Sequence, residues 1–363
     1  MQVTVEKDVL TDVIRKVSNV VNTKTTIPVL NNVCLEAKDD KLFLAATDLE
    51  VYIQTGVQAG VERQGSTTLP ARKFAQIVSA LPDGEVKLET GENEQTSISC
   101  KNSFFKMTGL SAEEFPEEEE ADGELSFTIS GKQLKSMLNK VSYAASTDEN
   151  RHVLNGTLLS IRSGVLTSVG TDGRRLALME QSLEDESIDD TDVILPPKVV
   201  GELHKVLDKD DDTSVTLSEA RAVFSINDTL LTTKLVEGTY PNYRQVIPSG
   251  FSYSAVIPRE SLSEVVNRVA MVVTESSASI KMNIENTQAT ISATSAEVGE
   301  SSEPLEVSYE GEPVEISFNP QFLMDPLRHM ESDQVVLRFN DQYSPVSLSG
   351  DEGFLYVIMP MRS

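Results

Sequence analysis

The sequence has few of the residues that a stapled, metal-bound or membrane-embedded protein would need. Cys34 and Cys100 are its only thiols, too few for a disulfide framework and not spaced as a metal pair. A reducing cytoplasm is therefore the expected compartment. The three histidines, His152, His204 and His329, are far apart in the chain and lack a ligand spacing such as HExxH, so no metal site and no cofactor is indicated. No stretch approaches the ~18 consecutive apolar residues of a membrane span, and Met1-Gln2-Val3-Thr4-Val5-Glu6 is no basic-then-apolar leader, so neither secretion nor membrane insertion is expected. GxGxxG, GxxxxGK[ST] and GxSxG are all missing, which removes the fingerprints of nucleotide-binding and α/β-hydrolase sites. Positive charge is also scarce. With 31 basic and 57 acidic side chains the net charge is −26, which favours solubility and repels nucleic acid unless the basic residues share one surface.

What is present is a pattern written three times. At 363 residues, 39% of them apolar, the chain is long enough for two or three globular domains. Val3-Thr4-Val5 leads to Leu10, Val13, Ile14 and Val17; Phe127-Thr128-Ile129 to Leu134, Met137, Leu138 and Val141; Ala255-Val256-Ile257 to Leu262, Val265, Val266 and Val269. Each copy reads as a short alternating strand followed by an amphipathic helix. Leu30-Asn31-Asn32 recurs as Leu154-Asn155-Gly156 and Thr47-Asp48 as Thr171-Asp172, in the same register. A second helix is expected after Leu69-Pro70-Ala71, Leu195-Pro196-Pro197 and Phe318-Asn319-Pro320, where proline suits a helix start. Pro326 interrupts the third of these stripes and predicts a kink or a late start. Between the helices, alternating stretches such as Lys41-Leu42-Phe43-Leu44-Ala45 and Val165-Leu166-Thr167-Ser168-Val169 predict antiparallel strands and hairpins. The fold class is thus α+β, three domains each with two amphipathic helices packed on antiparallel sheets. Boundaries are placed at residues 1–123, 124–248 and 249–363, with the acidic run Glu117 to Glu120 as a solvated linker.

Charge is segregated along this pattern. With helices at 8–18, 71–81, 131–141, 197–207, 259–269 and 320–330, twelve Lys or Arg stand against six acids, so the helices carry +6 and the remainder −32. Solvated helix faces rich in good helix formers would account for this. So would a basic, helix-lined surface that holds phosphates without reading bases, with an affinity falling steeply with salt. Acidic runs such as Glu113-Glu114 and Glu117 to Glu120 leave a carbohydrate-active enzyme with two convergent carboxylates as the rival class, and a repeat-built acidic adhesin-like module as another. Neither explains the triplication together with the segregated charge.

Several motifs then carry a resemblance that spans the whole chain. Leu69-Pro70-Ala71-Arg72-Lys73-Phe74, Leu154-Asn155-Gly156, Thr171-Asp172-Gly173-Arg174-Arg175-Leu176, Lys234-Leu235-Val236-Glu237-Gly238, Tyr240-Pro241-Asn242-Tyr243 and Val357-Ile358-Met359-Pro360-Met361-Arg362 resemble the bacterial DNA polymerase III beta subunit, the sliding clamp. The resemblance implies a non-catalytic processivity factor: a ring-shaped head-to-tail homodimer of three DNA-clamp domains per chain, around double-stranded DNA in sequence-independent fashion. It implies as partners the replicative polymerase alpha subunit, the clamp loader, and other polymerases and repair proteins carrying clamp-binding peptides, with no membrane involved. Its peptide-binding pocket would here be walled by Arg151, Leu154, Thr171, Gly173, Arg174, Arg175, Leu176, Pro241, Val246, Phe322, Val346, Val357, Met359, Pro360 and Met361. DNA would meet Lys24, Arg72, Lys73, Lys132, Lys135, Lys140, Lys198, Lys205 and Arg268, and the dimer seam would join Lys73, Phe105 and Met107 to Met271 and Val272.

The repeat discriminates among these residues. Thr171-Asp172 repeats Thr47-Asp48 and reads as turn chemistry, whereas Gly173-Arg174-Arg175 faces Leu49-Glu50-Val51 in the first copy, which makes the arginines the better functional candidates. Tyr240-Pro241 echoes Phe115-Pro116 and reads as partly structural. Departures from the resemblance are Lys24 in place of Arg, Gln245 in place of a basic rim residue, bulky Phe104 beside the seam, and the acidic loop Asp148-Glu149-Asn150 before His152-Val153. Met361→Ala combined with Arg175→Ala is expected to weaken peptide binding and leave assembly intact.

Overall fold

The computed structural model describes residues 1–21, 25–118, 125–185, 187–207, 211–274 and 278–362. Each apolar stripe seen in the sequence becomes a helix: Lys7–Ser18 (α1), Ala71–Ala80 (α2), Gly131–Val141 (α3), Pro197–Val206 (α5), Arg259–Val269 (α6) and Pro320–His329 (α7). Between α3 and α5 lies one short helix that the periodicity does not announce, His152–Asn155 (α4). The strands that open the repeats, Gln2–Glu6, Leu125–Ser130 and Tyr253–Pro258, run directly into α1, α3 and α6. All twelve stripe residues of those three helices are buried, none more than 4% exposed. At ~1.5–3 kcal/mol per buried aliphatic side chain, this burial is the main force fixing each helix to its sheet.

The chain divides into two compact units, one of Met1–Lys135 with Lys198–Leu235, the other of Ser136–Pro197 with Val236–Ser363. The sheets explain why the middle repeat is shared out. In the first unit an eight-stranded antiparallel sheet joins strands of the first repeat to strands of the second, through the pairing of Val51–Gln58 with Thr229–Lys234. In the second unit a nine-stranded sheet does the same one repeat later, through the pairing of Arg175–Ser182 with Phe354–Ile358. A five-stranded sheet completes the first unit and a four-stranded sheet the second.

Two expectations need correction. Pro326 neither delays nor interrupts α7: the helix begins at Pro320, where the Gln321 N–H donates to the Asn319 side chain at 2.9 Å, and continues to His329. A proline cannot donate to the carbonyl four residues earlier. The Phe322 carbonyl that is left over accepts the Tyr356 hydroxyl at 2.8 Å, so a side chain from another strand supplies the missing donor. The acidic run is not uniformly solvated either, because Glu118 is half-buried and accepts from the Thr232 hydroxyl at 3.0 Å. Glu117 is exposed, and Glu119 and Glu120, with the 123/124 boundary, lie outside the described residues. Among the described residues no helix is long and apolar enough to cross a membrane.

Candidate functional site

In the second unit, the turn that ends at Arg175 is built by Thr171 and Asp172. The Thr171 hydroxyl donates to the Arg175 carbonyl and accepts from the Gly173 N–H at 3.1 Å; the Asp172 carboxylate accepts the N–H groups of Arg174 at 2.8 Å and Arg175 at 3.1 Å. Gly173 occupies φ +88°, a left-handed conformation open to glycine at little cost, and a Cβ there would stand 3.1 Å from the Arg151 guanidinium. Arg151 in turn donates to the Asp172 carbonyl at 2.7 Å. Thr171 and Asp172 are thus turn chemistry, as the repeat indicates.

The strand leaving this turn sets Leu176 opposite Val357, and Val346 stands opposite Ile358 on the next strand. The C-terminal tail is strapped on at both ends of the site, by Met359 N–H to the Arg174 carbonyl at 3.0 Å and Met361 N–H to the Ser317 carbonyl at 2.8 Å. Thr171, Leu176, Val346 and Val357 are buried, and Leu176 and Val357 belong to an apolar cluster with Leu158, Val169, Leu178, Ile194 and Tyr243. They form the floor. The accessible surface is left to Arg151, Gly173, Arg174, Pro241, Val246 and Met359, with Leu154, Arg175, Phe322, Pro360 and Met361 half-buried.

Arg175 differs from Arg174. Its guanidinium lies 4.4 Å from the Phe322 ring centroid, pairs with the Asp325 carboxylate, donates to the Tyr143 carbonyl at 2.8 Å and contacts Asp172 at 3.2 Å. Burial opposes its charge, but the neighbouring Tyr356 and Asp325 outweigh this and hold its pKa above the ordinary arginine value. The side chain is only 10% exposed. It therefore orders the turn from behind, whereas the Arg174 side chain is exposed to solvent. Tyr143, Asp325 and Tyr356 were missed by the sequence reading; Asp325 alone left a signal, as an acid inside an apolar stripe. At the rim, Gln245 is exposed, and adjacent Arg244 brings a positive charge over the Tyr243 ring at 5.3 Å. In the acidic loop, Asp148 accepts the backbone and side-chain N–H groups of Asn150, bonds that hold its carboxyl below the usual range.

The basic residues of the helices divide into available and committed. Arg72, Lys73 and Lys132 are exposed, Lys73 donating to Gln76 at 3.2 Å. Lys205 pairs with Glu202 at 2.8 Å, and Arg268 with Glu303 at 2.7 Å and Glu264 at 3.3 Å. Lys135 donates to the Leu207 carbonyl at 2.7 Å, while Lys198 reaches the Val20 carbonyl at 3.2 Å and the Asp48 carboxylate. Lys140 is a correction: it is buried and bound to Asp351 at 2.7 Å, so its charge is not presented to solvent. Lys24 lies outside the described residues. Exposed Lys16 and Arg328 belong beside the available group, whereas exposed Arg15 pairs with Asp12 at 3.1 Å.

Of the seam residues, Met271 is 71% and Phe105 39% exposed, while Met107 is buried and Val272 half-buried. Phe104 is 65% exposed, so its bulk meets no obstacle within the chain. Phe105 and Met107 lie on Ser103–Thr108, which is an edge: among the described residues it pairs with Gln95–Cys100 alone. Gly299–Glu306, at one end of the four-stranded sheet, likewise pairs with Gln288–Ser295 alone among the described residues.

Three family models match in order: the N-terminal domain of the DNA polymerase III beta subunit over residues 1–119, its central domain over 128–242 and its C-terminal domain over 244–362. A beta sliding clamp from Chlamydia muridarum is 35% identical over 362 residues, covering 100% of this chain and 99% of the relative. Among solved structures, a sliding clamp (DNA polymerase III subunit beta) from Pseudomonas aeruginosa bound to griselimycin superposes with a TM-score of 0.96 at 32% identity, covering 100% of both chains. A DNA polymerase sliding clamp from Bacillus subtilis gives 0.95 at 26% identity, covering 100% of this chain and 99% of that one.

Proposed function

This chain belongs to the DNA polymerase III beta subunit family, the sliding clamps, and from that premise we propose that two copies close head to tail around duplex DNA and hold polymerases at the pocket of the second unit. A sliding clamp is a processivity factor and does no chemistry of its own. The three repeats, 1–123, 124–248 and 249–363, are the proposed modules.

The observation that carries the ring is the repeated sheet junction. The Val51–Gln58 strand of the first repeat pairs with Thr229–Lys234 of the second; its counterpart Arg175–Ser182 pairs with Phe354–Ile358 of the third. By the same offset, Gly299–Glu306 of the third repeat calls for the last strand of a first repeat, Ser103–Thr108. Both are single-sided edges within one chain, and they are unlike each other, so a partner copy satisfies both by a heterologous contact that closes. Phe105, Met107, Met271, Val272 and Lys73 would then lie at the seam. Net +7 on the six long helices, within a chain of −26, suits a lining that meets phosphates weakly and slides.

The pocket's chemistry suits a short peptide: Met359, Met361, Leu154 and Val246 give an adaptable apolar surface, while Arg151, Arg174 and backbone groups orient polar ends. The polymerase alpha subunit, the clamp loader and other DNA-acting proteins would compete for it, in the reducing cytoplasm that two free thiols suit. The test is retention on nicked circular DNA after loading by a cognate clamp loader, at high salt, before and after linearisation. Retention on circles with loss from linear ends is the expected result, and equal loss from both would refute a topological ring.

A further inference from the structure

We propose that the first unit carries a second peptide groove, the internal counterpart of the pocket but with exposed carboxylates where that pocket has Arg174 and Asn242, suited to a short extended segment in which an aliphatic side chain is flanked by basic ones. The proposal rests on reading the second unit's pocket as a peptide site. A cavity of about 280 Å³ opens beside Thr47, Leu49, Glu50, Tyr52, Pro116 and Lys234. Its turn and the strand bonded to it repeat those of the second unit. The Thr47 hydroxyl donates to the Val51 carbonyl at 2.9 Å and accepts the Leu49 N–H at 3.0 Å, and Asp48 accepts from Glu50 and Val51, as Thr171 and Asp172 do one repeat later. Tyr52 stands opposite Thr232 as Leu176 stands opposite Val357. Lys234 N–H reaches the Glu50 carbonyl at 3.0 Å, the same bond that Met359 makes to Arg174. Pro116 follows buried Phe115 as Pro241 follows Tyr240.

Two observations go beyond likeness of fold. Leu49 takes φ +77° where the other copy has Gly173, and the side chain held in this strained conformation is 45% exposed at the cavity rim. A glycine would adopt this turn at lower cost, and what the leucine adds is an aliphatic side chain presented at the rim. The rim chemistry also differs: at the positions of Arg151, Arg174 and Arg175 the first repeat has Ile27, Glu50 and Val51, and Glu117 stands at the position of Asn242, so two cations give way to aliphatic side chains and one to a carboxylate. Glu50 and Glu117 are exposed, and Ile27 is 45% exposed. Carboxylates beside aliphatic surface select basic side chains next to an apolar one. Exposed Lys234, on the neighbouring strand, disfavours a wholly polycationic segment.

The test uses the full-length protein and two fluorescein-labelled hexapeptides, alternating Lys-Leu and alternating Glu-Leu, read by anisotropy at physiological salt. The Lys-Leu probe should bind saturably. Glu50→Arg should weaken it at least tenfold, while Glu285→Arg, an equal charge change at an exposed position elsewhere, should leave it within twofold. Leu49→Gly should weaken it without lowering Tm, which separates a contact from a structural role. Absence of saturable binding, equal loss in Glu50→Arg and Glu285→Arg, or indifference to Leu49→Gly would overturn the groove. Arg174→Ala with Met361→Ala should weaken only the Glu-Leu probe; if it does not, the reading of the second unit's pocket fails, whatever the Lys-Leu probe shows.

Discussion

Replacing Asp351 by Asn should destabilise the second unit more than any surface substitution in the chain. Lys140 and Asp351 have side chains 7% and 8% exposed and meet at 2.7 Å. The carboxylate also accepts the N–H groups of Glu331 at 3.1 Å and Ser332 at 2.7 Å. Burial disfavours its charge, yet the bonds from Lys140, Glu331 and Ser332 prevail and hold its pKa below the ordinary value. Asn keeps the shape and an acceptor for Ser332, but it leaves the Lys140 ammonium buried without a counter-charge. Breaking one half of a buried pair costs ~3–5 kcal/mol, against ~5–15 kcal/mol for a whole domain. Lys140→Met added to Asp351→Asn removes the stranded charge and should recover most of that loss. Urea denaturation of the four proteins of this cycle, with hydrogen exchange resolving the α3 segment, measures both effects. A loss below ~1 kcal/mol in the single variant, as for exposed pairs, or no recovery in the double variant, would refute the reasoning. Because the folded pKa of Asp351 is depressed, its contribution is present above the unfolded value of ~3.9 and is lost as pH falls through the folded value. The gap between wild type and Asp351→Asn should be full near neutrality and close only below about pH 4.

Arg175→Ala should lower stability by ~3–5 kcal/mol, because buried Asp325 loses its cation, so thermal melting should separate it from Arg174→Ala with Met361→Ala, which should weaken peptide binding at unchanged Tm. Tyr356→Phe strands the Phe322 carbonyl and should cost ~1–3 kcal/mol in urea denaturation; Pro326→Ala, which restores a helical N–H to that carbonyl, should offset it. Lys140→Met should leave the salt dependence of DNA binding unchanged, whereas Arg72→Ala and Lys132→Ala should each lower the log–log slope by up to about 0.9. Burial, with Glu36 adding, pushes the Cys34 thiol up to about 12, so iodoacetamide at pH 8 should leave it unmodified in the native protein and label it after unfolding, as read by intact mass.

What the sequence made legible was local. The stripes of α1, α3 and α6 are periodic and fully buried, so their helices fall where the periodicity places them, and Thr47-Asp48 and Thr171-Asp172 form the same hydrogen-bonded turn because the bonds close within five residues. What stayed hidden depends on partners far along the chain. Lys140 reads as a solvated helix cation until Asp351 is folded against it, Pro326 reads as a helix breaker until Tyr356 supplies a donor, and Arg175 reads as a twin of Arg174 until Asp325 and Phe322 enclose it. The proposed pocket residues come from the family resemblance alone, and their division into buried and accessible was not legible, since Leu176 and Met359 are equally apolar in sequence.

The two single-sided edges have a consequence for the protein when it is dilute. Ser103–Thr108 offers unpaired backbone groups together with Phe104, and Gly299–Glu306 offers a second such row. A solitary protomer is then a molecule with two adhesive ends, able to template stray strands or to add further protomers without limit. Its charge of −26 is the brake on such growth, slowing every encounter that is not aligned well enough for the ladder to form. High salt, which screens that repulsion, should therefore favour irregular aggregates most at the protein concentrations where protomers are unpaired.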